Sequence, residues 1–257
     1  MRLSTKNQLS KEVLLLLGGL ILWFGRGEVK AQTDHQLWMN MAITAPLTEK
    51  FSVGGDVGLR GLISNREWNQ VLLRPTATFK ARDWLKVSAG FAIFSTFNVD
   101  TYNVNEFRLN QDFNATYPNL GWSKLFYRLR FEQRWFYYED RANNFSFRGR
   151  ILGGIQSKDL TFLGEKRPIY FQIMLEGFIP LERDIEEVFV NNFRWHLAFG
   201  HRLSKVLRYE IHYIRQIPKL FDSSGSTIPQ NIYRLRFFYT LDPPDDHSDD
   251  VVNPDGN

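Results

Sequence analysis

Between residues 36 and 241 apolar and polar positions alternate with a period of two, the spacing that sends successive side chains to opposite faces of an extended strand. In Phe51–Arg60 one face holds Phe51, Val53, Gly55, Val57 and Leu59, and the other holds Ser52, Gly54, Asp56, Gly58 and Arg60. From Glu106 to Tyr117 the two faces are Glu106, Arg108, Asn110, Asp112, Asn114 and Thr116 against Phe107, Leu109, Phe113, Ala115 and Tyr117. From Leu125 to Trp135, Arg128, Arg130, Glu132 and Arg134 oppose Leu125, Tyr127, Leu129, Phe131 and Trp135. Weaker versions occupy 36–45, 70–80, 85–95, 145–155, 169–179, 189–202, 207–217 and 230–241, which makes eleven predicted strands. Most approach the ~9 to 11 residues that a tilted strand needs to cross a bilayer, and exceed the ~5 to 6 usual in soluble sheets.

The predicted connections alternate in length. They are short at 46–50, 81–84, 118–123 and 203–206, and longer at 61–69, 96–105, 138–144, 180–188 and 218–229; 156–167 is longer than its place in the series predicts. Short turns at one end and long loops at the other are the organisation of a transmembrane antiparallel up-and-down β-barrel, here of 10 to 12 strands. A soluble sandwich or lipocalin-like barrel shares the alternation with its apolar face turned inward. The apolar face here carries Phe, Leu, Ile, Tyr and Trp on nearly every segment, more bulk than a small interior holds. Trp84 and Trp122 beside short turns, with Trp68, Tyr117 and Tyr137 at other strand ends, match aromatic girdles at membrane interfaces. An odd strand count conflicts with the usual even one. Either the first segment lies in the lumen and ten strands close the barrel, or a twelfth strand exists.

The two ends differ from this body. Arg2, Lys6 and Lys11 precede an apolar run from Val13 to Phe24, and Val29-Lys30-Ala31 offers a cleavage site, so residues 1–31 read as a secretory signal peptide. The run is too short for a spanning helix, which needs ~20 residues. Residues 242–257 contain six aspartates, three prolines and no aromatic residue, the composition of a disordered acidic tail. The barrel domain is therefore expected at 32–241, in the outer membrane of a Gram-negative bacterium. Its expected partners are outer-membrane lipid and, during biogenesis, the barrel-insertion machinery. The final strand supports the latter, because Tyr233, Leu235, Phe237, Tyr239 and Leu241 share one face.

Composition narrows the chemistry. The chain has no cysteine, which excludes disulfides and thiolate metal sites, and its 15% aromatic content is too high for a disordered chain. The net charge of +4 is a cancellation: residues 32–241 carry 27 basic and 20 acidic side chains, and 19 of those bases are arginine. With the apolar face toward lipid, arginine lines the lumen. Residues two apart share a face and meet neighbours across the ladder, so Glu106, Arg108, Asp112, Arg128, Arg130, Glu132, Arg134, Arg148, Arg150 and Arg194 are expected to form a lumenal ionic network. Guanidinium forks pair with carboxylates and tolerate partial burial. The excess of positive charge also predicts a lumen that favours anions, and so a structural or permeation role without catalysis.

The segment Tyr127-Arg-Leu-Arg-Phe-Glu-Gln-Arg134, following an early Leu37-Trp38 strand, with Arg60 ending the second strand and Asn192-Phe-Arg194 near the ninth, resembles the uncharacterised family known as domain of unknown function 2490, common in Bacteroidetes. The likeness spans most of 36–241. It implies an outer-membrane β-barrel and no assigned activity.

The alternative is an outer-membrane lipid hydrolase with a His-centred site on the barrel. His201 lies on the presumed lipid face, with Ser204 in the adjacent turn, and His196 and His212 point inward near Glu176 and Glu210. No catalytic residue, metal site or cofactor is assigned. Nucleic acid is not an expected partner, because the basic residues alternate along strands instead of forming a patch.

Overall fold

Period-two strands bury one face and expose the other, and a sheet built from them loses its unpaired edges only by closing on itself. The computed structural model describes residues 34–63, 67–117, 120–162, 164, 167–180, 191–218 and 229–241. Among these, eleven strands form one closed barrel: β1 (Asp34–Pro46), β2 (Phe51–Leu62), β3 (Trp68–Arg82), β4 (Leu85–Asn98), β5 (Val104–Tyr117), β6 (Ser123–Tyr138), β7 (Asn144–Ser157), β8 (Ile169–Pro180), β9 (Asn191–Arg202), β10 (Leu207–Pro218) and β11 (Gln230–Thr240). There is no helix among the described residues. The predicted signal peptide and acidic tail lie outside the described residues, as do His247 and parts of the predicted connections at 61–69, 118–123, 156–167, 180–188 and 218–229.

Each strand pairs antiparallel with the next. The ring then closes by a parallel pairing of β1 with β11, from Asp34 opposite Gln230 to Thr44 opposite Thr240. This corrects two expectations. The first segment is a wall strand and not in the lumen, and among the described residues no twelfth strand completes the wall; the barrel is also not antiparallel throughout. The reason is geometric: in an up-and-down circuit an odd number of strands leaves the first and last running the same way, so only a parallel ladder can join them.

The sidedness is the reverse of a soluble barrel's. Outward positions are apolar and exposed, with Leu59 58%, Ile151 50% and Ile211 51% accessible, whereas inward Glu132 and Arg134 are each 1% accessible. Trp84, Trp122, Tyr117 and Tyr137 stand exposed near strand ends. Trp68 does not join them. It is buried, because it shares parity with Gln70 and Leu72 on the inner face of β3.

Inward glycines make room for the inner side chains. Gly200 of β9 lies opposite Tyr170 of β8 and Glu210 of β10. A Cβ at Gly200 would stand 2.2 Å from the Tyr170 ring, so the ring lies across the bare backbone, and its hydroxyl donates to Glu210 Oε1 at 2.7 Å. Gly200→Val is expected to displace the ring and destabilise the barrel by about 1–3 kcal/mol, the usual cost of overpacking. The urea midpoint for loss of the folded form measures this, and an unchanged midpoint would contradict the packing.

Candidate functional site

Ladder register decides which lumenal charges meet. Asp112 lies opposite Arg130, Glu132 opposite Arg148, Asp56 opposite Arg74 and Glu176 opposite Arg194. Arg130 grips Asp112 with two nitrogens, Nε on Oδ1 and a terminal nitrogen on Oδ2. Arg148 donates to Glu132 Oε2 from Nε at 2.9 Å and from a terminal nitrogen at 2.6 Å, while Arg150 donates to Oε1 at 2.9 Å. Arg108 and Arg130 stand 3.9 Å and 3.7 Å from the same Oε1, so four guanidiniums surround one carboxylate. Glu106 accepts from Arg108 Nε and Arg134 Nε, each at 2.5 Å. Glu176 accepts from Arg128 at 2.7 Å and from Arg150 at 2.7 Å, with Arg194 at 3.5 Å. Arg150 thus bridges Glu132 and Glu176, which links β5 to β9 through one chain of ion pairs. All ten residues anticipated for the network lie on this inner wall.

Buried charges persist only when paired and hydrogen-bonded, and this half of the wall meets that condition. The opposite half does so incompletely. Asp56 takes Arg74 Nε at 2.7 Å, and Glu210 binds Tyr170 and His212, with Arg208 and Arg236 each 3.9 Å away. Among the described residues Arg60 hydrogen-bonds to Gln70 Oε1, at 3.1 Å, and Arg234 to Asn40 Oδ1, at 2.9 Å. Among the described residues neither has a carboxylate within ion-pair reach. Arg208 and Arg236 lie over the Phe238 ring at 4.1 Å and 4.4 Å. Between the halves is a cavity of about 390 Å³ lined by arginines of both, with Trp38, Phe94 and Phe178.

Asp56, Arg60, Arg74, Arg234 and Arg236 all fall on the polar face by parity and so are expected toward the lumen, although the ten-residue network does not include them. The shared parity of Asp56 and Arg60 was the available signal. What parity alone could not supply was the β1–β11 seam, which brings Arg234 to Asn40 across 194 residues of chain.

A family model described as protein of unknown function (DUF2490) matches residues 35–225. The chain belongs to that family. The match takes in β1 to β10 and stops short of β11, the strand that closes this DUF2490 barrel. No curated protein matches the chain.

Four histidines of this DUF2490 chain fall among the described residues, and their surroundings differ. His212 Nε2 is 3.0 Å from Glu210 Oε2, and His196 Nε2 is 3.9 Å from Glu176 Oε2; their rings are 6.4 Å apart. On the outer face His201 Nδ1 lies 3.3 Å from the Tyr209 hydroxyl. Ser204 is occupied in its turn, where Oγ accepts the backbone N–H groups of Val206 at 3.3 Å and Leu207 at 3.1 Å. His35 stacks on Tyr233 on the outer wall, with ring centroids 6.1 Å apart. Among the described residues no group of three or more His, Asp or Glu side chains has metal-holding geometry.

Proposed function

We propose that this protein is an outer-membrane β-barrel of a Gram-negative bacterium whose arginine-rich lumen favours anions, with a structural or permeation role and no catalytic one. The observation that carries the proposal is the inverted sidedness of the wall: exposed leucine, isoleucine, valine and phenylalanine outside, buried arginine and glutamate inside. In water such an outer surface would be a large contiguous apolar patch, which soluble monomers avoid. Against lipid tails it is the stable arrangement, because a closed barrel satisfies its backbone groups internally. Strands of 11 to 16 residues are long enough for the crossing.

Outer-membrane lipid is then the partner of the outer face, and the barrel-insertion machinery the partner during assembly, with Tyr233, Leu235, Phe237, Tyr239 and Leu241 as the apolar terminal signal. The lumen supplies the second half of the proposal. Guanidiniums outnumber inward carboxylates, and a ring of unmatched positive charge lowers the barrier to anions and raises it to cations.

Two measurements test this. The expressed chain is expected in the outer-membrane fraction and migrates differently on gels before and after boiling; recovery as a soluble periplasmic protein would end the membrane assignment. In planar bilayers under a salt gradient the reversal potential is expected to report anion preference. Cation preference would end the permeation reading.

A further inference from the structure

Three lumenal arginines converge on one aromatic ring: Arg60 and Arg234, which have no carboxylate in reach among the described residues, and Arg194, whose carboxylate, Glu176, is shared with Arg128 and Arg150. The Trp38 indole is held by its own N–H, which donates to Gln36 Oε1 at 2.9 Å. Around it stand the guanidinium carbons of Arg60 at 4.2 Å, Arg194 at 5.3 Å and Arg234 at 5.9 Å from the ring centroid. All three line the same cavity. Arg60 Nε is buried with no hydrogen-bond partner. Cation–π contact offsets part of the mutual repulsion, and each guanidinium gives one N–H to a neutral amide oxygen, Gln70 for Arg60, Gln216 for Arg194 and Asn40 for Arg234, while the remaining in-plane donors call for further oxygen acceptors.

We propose that Arg60, Arg194 and Arg234 form a binding site for a multiply charged phosphate, free or as the phosphate group of a small solute. The inference rests on, and deepens, the anion-favouring reading of the lumen. A single carboxylate brings two oxygens and one negative charge, too little to neutralise three guanidiniums. A phosphate or pyrophosphate presents several charged oxygens in one compact group, which suits three forks arriving from three strands. Chloride has no edge for a fork to match. The cavity, about 390 Å³, falls within the ~300–1,000 Å³ range of small-ligand sites. Arg60 and Arg234 of the less paired half are therefore the principal recognising pair, and Arg194 joins them from the Glu132–Glu176 half.

The test is calorimetry on the full chain folded in detergent micelles, titrated with inorganic pyrophosphate and, separately, with acetate. Saturable pyrophosphate binding with no matching acetate isotherm is expected. Arg60→Gln with Arg234→Gln should weaken it at least tenfold, while Lys205→Gln, in the β9–β10 turn, leaves it unchanged. Where the glutamine variant does not fold, Arg60→Lys with Arg234→Lys keeps the charge and removes the forks, and should weaken binding at least fivefold. Lack of saturable binding to the folded wild type overturns the site, as does wild-type affinity in the glutamine or the lysine variant. Because the readout needs neither a bilayer nor conductance, failure of the permeation reading with binding intact is distinguishable from failure of the site itself.

Discussion

Glu132→Gln is expected to destabilise the barrel by about 3–5 kcal/mol, the cost of removing one partner from a buried ion pair. Glu132 is 1% accessible and is the shared acceptor of Arg148 and Arg150, with Arg108 and Arg130 within 4 Å. The amide is nearly isosteric, so packing is preserved and the loss is electrostatic. Four guanidiniums would then face one another with no counter-charge at their centre. The urea midpoint of the heat-modifiable form reads the effect, and Glu132→Gln with Arg148→Gln should recover part of it, because the double change removes one of the orphaned cations. A midpoint within error of the wild type would show that water, not Glu132, balances these arginines.

Met39→Pro is the second large effect. Met39 sits mid-strand in β1, opposite Leu235 in the parallel ladder and Leu59 in the antiparallel one. Its side chain points outward and is 44% accessible, so the substitution probes the backbone and not the core. Proline removes a ladder donor and is tolerated where a ladder is already open: the wall's own Pro75 sits where the β3–β4 ladder skips Arg74 and Pro75, whereas both ladders of β1 run unbroken through Met39. Loss of the heat-modifiable species is expected for Met39→Pro, with Met39→Leu indistinguishable from wild type. A folded proline variant would mean that β1 is not a central strand of the wall.

Most of the wall was readable because alternation is local. Strands such as β5 and β6 declare their two faces residue by residue, and hairpin neighbours meet by necessity, which is why Glu106, Arg108 and Asp112 can be placed against Arg128, Arg130, Glu132 and Arg134. What depended on closure was not readable. The seam between residues 34–44 and 230–240 has no sequence signature, since either end could pair with a missing strand equally well. The Trp38 site straddles that seam, so its members, drawn from β1, β2, β9 and β11, could not be assembled from hairpins. Trp68 failed for a different reason: position near a strand end suggested a girdle, but parity sent it inward.

The parallel seam gives the barrel a polarity that even-stranded barrels lack. In those, the chain comes back to the side from which it set out. Here β1 starts at the long-loop mouth and β11 finishes at the short-turn mouth, so the polypeptide makes one net traverse of the wall. A label placed on Asp34 and one placed on Thr240 would therefore report on opposite ends of the lumen.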